Sequence, residues 1–316
     1  MGALMKWAVA GLGYMGKKFL HDTTKLSDVT VVAVASEQES KPKAKEFDFF
    51  TSYSDMFSRP NFQAVYISTT PNKHFEILDM CVAARIPALC EKPIFYCQSE
   101  IDKFARVSNP SFISENISFM FDSQVIELIS GLNQGLFGEI REIKIVIKRK
   151  LNPLARLRIM NKFTSKGALH DFGIYGVHFL ISIFHDLAVV DQKINYVFDN
   201  DYSGEITFLG NRFTNCKLIY SIENDAPNSI LIIGSKINVE ILDFLTENQT
   251  IKMCSNATKI LSASKNSSYF SNLTRTVDLI SREISDDLPQ SKFVPLGNSL
   301  RTAEIIFKIL RNKLER

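Results

Sequence analysis

A chain of 316 residues is long for a single core, and two domains are expected. Its 37 basic and 34 acidic residues leave a formal charge of +3, too slight a bias to call for nucleic acid or an anionic membrane as partner. Hydrophobic residues at 45% and charged residues at 22% are the proportions of an ordinary globular protein, and the longest apolar stretch, around Val177 to Phe184, is too short to span a bilayer.

The first 120 residues alternate strand and helix signals. The apolar start lacks a charged leader and a cleavage site, so Lys6 to Ala10 is expected as a buried strand and not as part of a targeting segment. Tyr14 to His21 follows as a helix. Val29 to Ala35 is β-branched and small, the composition of a central parallel strand. Ala64 to Ser68 is another strand, His74 to Ala84 carries helical spacing, and Pro87 to Cys90 predicts the next strand. This βαβ rhythm predicts a Rossmann-type α/β unit, a doubly wound parallel sheet with ligands at its C-terminal strand ends.

The second half changes period. Ile143, Ile145 and Ile147 alternate with Lys144, Val146 and Lys148, a strand with one wet face. Further strands are expected at Ile206 to Leu209, Lys217 to Ile222, Ile230 to Ile233 and Val239 to Leu242, giving an open, mainly antiparallel α+β domain. One helix, Ala168 to Phe184, interrupts them, and a last helix from Ser299 to Leu314 is expected to pack back on the body. The expected division is residues 1–121 for the Rossmann-type domain and 122–316 for the antiparallel-sheet domain. The five cysteines (Cys81, Cys90, Cys97, Cys216, Cys254) lack metal-type spacing, which predicts free thiols in a reducing, cytoplasmic setting and no metal site.

Two motifs carry chemistry. In Gly11-Leu12-Gly13-Tyr14-Met15-Gly16, between a strand and a helix, the first glycine permits the turn and the second admits a pyrophosphate to the backbone. The third allows close packing of the helix on the strand. The helix N-terminus then offers amides to phosphate. The second motif is Glu91-Lys92-Pro93, a lysine at a strand's C-terminal end, where a cofactor's reactive ring would lie. Ser36-Glu37 closes the second strand and leaves NAD and NADP both open: Ser36 has room for a 2′-phosphate, Glu37 would repel it, and Lys41, Lys43 and Lys45 follow.

These motifs, with Thr69-Thr70-Pro71-Asn72-Lys73-His74, Gly135-Leu136-Phe137-Gly138, Ala168-Leu169-His170-Asp171-Phe172-Gly173-Ile174-Tyr175 and the closing Ser299-Leu300-Arg301, resemble the Gfo/Idh/MocA family in order and spacing. The Asp171 to Tyr175 stretch is similar to the tyrosine version found in glucose–fructose oxidoreductase and dihydrodiol dehydrogenase; inositol dehydrogenase has histidine there. The resemblance implies an NAD(P)-dependent oxidoreductase acting on a hydroxyl or keto group of a sugar, cyclitol or related polyol. It further implies that Lys92, Asp171 and Tyr175 line the substrate site, and that the chain forms a homodimer or homotetramer through the open sheet face. Cofactor contacts are expected from Gly11, Gly13, Tyr14, Met15, Gly16, Ser36, Glu37, Thr69, Thr70, Pro71, Asn72, His74, Glu91 and Lys92, and substrate contacts from Glu115 and His178. Two departures concern substrate more than fold: Met120 stands where many members carry arginine, and His178 replaces an aspartate.

The chemistry is self-consistent. Asp171 and Tyr175 are four apart, so a helix sets them on one face, which His178 extends. A phenol with pKa of about 10 is a poor base at neutral pH, and lowering it by about three units takes roughly 4 kcal/mol, which a nearby ammonium such as Lys92 can largely supply. In reduction, Tyr175 donates the proton while Lys92 polarises the carbonyl. Asp171 orients Lys92 or binds a substrate hydroxyl. The basic stretch 148–162 suits either a solvated face or an anionic substrate. The rival readings are a cofactor-binding sensor without turnover and a glycosidase that recycles bound NAD.

Overall fold

A computed structural model describes residues 4–37, 47–108, 110–161, 166–211, 214–246, 249–255, 262–265 and 272–311. The chain divides into two compact units: Met1–Phe121 with Phe270–Leu300, and Asp122–Tyr269 with Arg301–Arg316. The first unit thus takes in residues 270–300, a stretch that the sequence reading leaves with the second domain.

The first unit is built on a six-stranded parallel sheet of β1 (Met5–Ala10), β2 (Val29–Ala35), β3 (Asp48–Phe50), β4 (Ala64–Ile67), β5 (Ala88–Glu91) and β6 (Ile113–Asn116) in the order β3-β2-β1-β4-β5-β6. Helices α1 (Tyr14–Asp22), α2 (Tyr53–Ser58), α3 (Pro71–Ala84) and α4 (Gln98–Phe104) alternate with the strands. The strand order reverses between β1 and β4, and a doubly wound sheet opens its ligand crevice at such a point. Trp7, Val9, Tyr66, Ile67 and Leu89 are fully buried, as expected of strands covered on both faces. Phe19 of α1 stacks on Tyr66 at 4.2 Å, and Trp7 donates its indole N–H to Ser281 at 3.0 Å.

The second unit holds α5 (Ser123–Asn133), α6 (Pro153–Ile159), α7 (Ile174–Ile183) and an eight-stranded sheet. Its strands are β7 (Ile140–Lys148), β8 (Ala188–Val197), β9 (Asn200–Leu209), β10 (Asn215–Ser221), β11 (Ser229–Gly234), β12 (Ile237–Leu242), β13 (Thr250–Ser255) and β14 (Ser262–Lys265). The order is β14-β13-β12-β11-β7-β10-β9-β8; the pairing is antiparallel except that β7 and β10 run parallel. One face is dry: Ile143, Ile145, Ile147, Leu218, Phe208, Ile230, Ile232, Val239 and Ile241 are fully buried. Helix α8 (Asn272–Ser285) belongs to the first unit, and the division between units falls after Leu300, inside α9 (Leu296–Arg311). Within the second unit the end of α9 packs back: Phe307 meets the His170 ring at 5.1 Å, and Ile309 accepts from Gln192 at 3.1 Å.

Helix α7 lies close on the dry face because Gly176 allows it. A Cβ there would stand 2.7 Å from Leu218 Cδ1 and 3.3 Å from Ile145 Cγ2. Gly176→Val is therefore expected to lower stability by about 1–3 kcal/mol through overpacking, read as a lower urea midpoint; an unchanged midpoint would remove this contact as a constraint.

Candidate functional site

In the first unit the glycine turn has the form its sequence predicts. Gly11 takes φ +98°, and a Cβ there would stand 2.8 Å from the Ser68 carbonyl carbon and the Thr69 nitrogen. The turn after β1 thus lies directly on the turn after β4, and Ser68 donates its hydroxyl to the Gly11 carbonyl at 2.9 Å. A Cβ at Gly16 would collide with the Gly11 carbonyl oxygen. Gly13, by contrast, faces open space, with nothing within 4 Å of a Cβ, and it caps α1 without a side chain to occupy the first amides. Tyr14 is 81% exposed beside it, and Met15 is half-buried.

Ser36 is buried at the end of β2, its amide bonded to the Phe50 carbonyl at 3.0 Å, and Glu37 is exposed. Burial pushes the Tyr53 hydroxyl up to about 12, reinforced by the carboxylates of Glu37 and Glu76. Lys41, Lys43 and Lys45 lie outside the described residues. After β4, Thr70 precedes α3 with Pro71 in its first turn, and Asn72 is exposed. The Thr69 hydroxyl is buried without a hydrogen-bond partner among the described residues. A backbone open at Gly13, helix amides without a side-chain cap and a buried hydroxyl awaiting a partner fit a dinucleotide laid across this strand edge.

His74 is fully buried and joins two turns. Its Nδ1 lies 3.0 Å from the Pro93 carbonyl oxygen and its Nε2 3.1 Å from that of Thr69. Both partners are acceptors, so a neutral ring satisfies one at a time. Burial nevertheless holds its pKa down to about 4.

Lys92 follows β5, half-buried, with a cis peptide to Pro93. Its neighbours are tied down from both sides. Glu91 accepts from the Tyr66 hydroxyl and from Asn116 Nδ2, the latter at 2.6 Å. Ile94 donates its amide to Glu115 Oε1 at 2.9 Å. Glu115 is 1% exposed, and burial pushes its carboxyl up to about 7. Met120 is buried in the short turn that follows β6.

In the second unit the expected helix from Ala168 is not α-helical throughout. Leu169–Gly173 forms a single π-turn, and α7 begins at Ile174. Such a turn inserts a residue into the ladder and is frequent at functional sites. Asp171 and Tyr175 are partly exposed here, whereas residues 168–170, 173–174 and 176–178 are buried. His178 departs from the expectation that it extends their face: it is fully buried, with Nδ1 3.2 Å from the Thr302 hydroxyl.

Asp201 is the residue that sequence reasoning passes over. From β9 its buried carboxylate accepts the Leu169 amide at 2.7 Å, holding the chain two residues before Asp171. Gly167, at φ +103°, makes room for it, since a Cβ there would run into the Asp201 side chain. Burial pushes the Asp201 carboxyl up to about 6 against the pull of that amide. Asn200 next to it donates to the Met160 carbonyl at 2.5 Å, so adjacent residues of β9 hold both flanks of residues 161–168. In the basic stretch 148–162, Arg156 pairs with Glu223 at 2.9 Å; Lys162 lies outside the described residues.

Among the described residues no His, Cys, Asp and Glu cluster could hold a metal, and no helix is long and apolar enough to cross a membrane. The five cysteines are all free thiols.

Sheet order, glycine turn and lysine-bearing strand end define a dinucleotide-binding protein of the Rossmann class. Residues 5–108 match the Gfo/Idh/MocA model, described as "Oxidoreductase family, NAD-binding Rossmann fold". Residues 5–108 thus carry the NAD-binding Rossmann domain that this family model describes. The chain is 29% identical over 189 residues to trans-1,2-dihydrobenzene-1,2-diol dehydrogenase of Macaca fuscata fuscata, a match covering 57% of this chain and just over half, 56%, of that enzyme. In fold it is similar to an aldose-aldose oxidoreductase from Caulobacter crescentus, solved with glycerol (TM-score 0.83, 16% identity, 98% of both chains covered). It is also similar to a 3-ketoreductase from Actinomadura kijaniata, solved with NADP and TDP-benzene (TM-score 0.78, 18% identity, 96% of both chains covered).

His178 offers a test by pH. Burial depresses its pKa from 6.5 to about 3, so its neutral form favours the folded state above pH 6.5, and that contribution is lost as pH falls toward 3. Between pH 7 and pH 4 the stability advantage of the wild type over His178→Gln is expected to shrink by about 3 kcal/mol. Urea midpoints at the two pH values check this; a constant gap would mean the imidazole is not held neutral.

Proposed function

We propose that this chain transfers hydride between a nicotinamide and a secondary alcohol or ketone carbon of a sugar, cyclitol or related polyol, with NAD as its cofactor. The observation that carries the reading is Lys92, held at the end of β5 in the same sheet as the glycine turn, with the residue before it and the second residue after it both hydrogen-bonded to side chains. The relatives named above share one chemistry, a hydroxyl or carbonyl on a small molecule that is diol-like or sugar-like. When bound, the nicotinamide supplies or accepts the hydride.

In this proposal Gly11, Gly13, Gly16 and the amides of α1 hold the pyrophosphate, and Thr69, Thr70, Pro71 and Asn72 border the cofactor. Lys92 polarises the substrate oxygen, Tyr175 gives or takes its proton, and Asp171 orients a substrate hydroxyl. His178, buried against Thr302, is given a packing role and no substrate contact. A second copy of the chain is the proposed macromolecular partner, as a homodimer or homotetramer. Half-buried Val146, Ile219, Leu231 and Ile233 on the sheet face opposite the dry one support it. The free cysteines fit a cytoplasmic setting.

The choice of NAD rests on charge. Glu37 follows β2 where a carboxylate can accept from the ribose 2′-hydroxyl, and the Glu76 carboxylate also acts on the neighbouring Tyr53. A 2′-phosphate placed there meets negative charge. NADH is expected to bind at least about tenfold more tightly than NADPH, and Glu37→Arg to reverse the order, in titrations followed by nicotinamide fluorescence. Equal affinities would end the argument from Glu37.

With a substrate found by screening polyols and their ketones, Lys92→Met is expected to reduce turnover at least about a thousandfold while leaving the NADH dissociation constant within a few-fold. Tyr175→Phe should cost about a hundredfold or more in kcat. Full activity in Lys92→Met would sink the assignment.

A further inference from the structure

The geometry points to Glu115 as the residue that positions Lys92, by fixing the backbone at Ile94; this rests on the reading in which Lys92 acts on substrate. Strands β5 and β6 run parallel with Cys90 opposite Glu115 and Glu91 opposite Asn116, so residues 115 and 116 lie beside the last two residues of β5. Each reaches back to that strand's exit. Asn116 donates to the Glu91 carboxylate at 2.6 Å, and the Tyr66 hydroxyl donates to the same oxygen from β4. Glu115 Oε1 accepts the Ile94 amide at 2.9 Å. Lys92 and Pro93 are therefore the span between two anchored points, one contributed by Glu91 and the other by Glu115.

The chemistry of the anchor indicates how it works. Glu115 is 1% exposed, and its second oxygen, Oε2, has no hydrogen-bond partner among the described residues. A buried carboxylate with one oxygen uncompensated is costly, and such a group tends to take up a proton. Burial does push it up to about 7, opposed by the Ile94 amide, the nearby Ser299 hydroxyl and the Lys92 ammonium, with Glu91 adding to the rise. What Ile94 requires is an acceptor oxygen at that place, and Oε1 can accept its amide whether the carboxyl is ionised or not. The amide of glutamine reaches equally far and presents the same acceptor. Aspartate keeps the acid and falls one methylene short of Ile94.

The test compares Glu115→Gln with Glu115→Asp in the full chain, alongside wild type and Lys92→Met, measuring kcat, KM and the NADH dissociation constant. Expected are a kcat for Glu115→Gln within about threefold of wild type and a kcat for Glu115→Asp at least about tenfold lower, with NADH affinity within threefold in both. Three results would overturn the proposal: an aspartate variant with wild-type kcat, a glutamine variant as impaired as the aspartate one, or a loss of NADH affinity that parallels the loss of kcat. Failure of the underlying reading looks different. In that case Lys92→Met itself retains turnover, and the positioning role falls with it.

Discussion

Contact between the turn after β1 and the turn after β4 is the constraint on which the first unit's chemistry depends. Gly11 adopts a conformation open to glycine, and any side chain there would enter the backbone of Ser68 and Thr69. Once these turns touch, the rest follows by hydrogen bonds from one to the next. Ser68 holds Gly11, His74 spans from Thr69 to Pro93, and Glu115 and Asn116 take Ile94 and Glu91. Four successive strand ends are thereby coupled, and a displacement of one turn is felt at Lys92. The arrangement costs buried polar groups, which would be wasteful in a unit that had only to fold.

The second unit solves a related problem with different means. Its helix must approach the sheet closely and yet leave Asp171 and Tyr175 partly open. Gly176 permits the approach, because its missing Cβ is the space that Leu218 and Ile145 fill. The π-turn before α7 sets Asp171 ahead of the helix proper, and the Asp201 carboxylate takes the Leu169 amide that would otherwise be buried without a partner.

Much of this was legible because its physics is local. The glycine turn is a statement about φ and close approach, and the three glycines carry it in their spacing; the strand Val29 to Ala35 and the alternation from Ile143 to Ile147 are burial patterns that any core imposes. Less legible were elements with weak or mixed periods. Strand β8 goes unassigned because its alternation carries Asp191, Gln192 and Asn195, and α6 is short. Helix α8 was missed although Leu273, Val277 and Ile280 at helical spacing are its buried stripe. Asp201 was invisible for a different reason: nothing in the sequence around Asn200-Asp201 says that its partner is an amide 32 positions away. Glu115 was visible as an acidic residue entering the second half, but the partner that gives it meaning, the Ile94 amide, comes from strand pairing. His178 shows the limit of spacing arguments. Seven residues after Asp171 is one face of a regular helix, but the intervening π-turn changes the phase and the imidazole is buried.

The buried ionisable groups share a direction that spacing could not reveal. His74 and His178 are held below their ordinary range, Glu115 and Asp201 above theirs, each chiefly by burial. All four are thereby pushed toward neutrality. His74, Glu115 and Asp201 fix backbone carbonyls and amides in place, and His178 meets the Thr302 hydroxyl. Lys92 is half-buried, and its charge opposes the upward shift of the Glu91 and Glu115 carboxyls. Burial moves the Glu115 carboxyl toward neutrality, and its Oε1 holds the Ile94 amide in either form, so position is the property that this side chain contributes to the exit of β5.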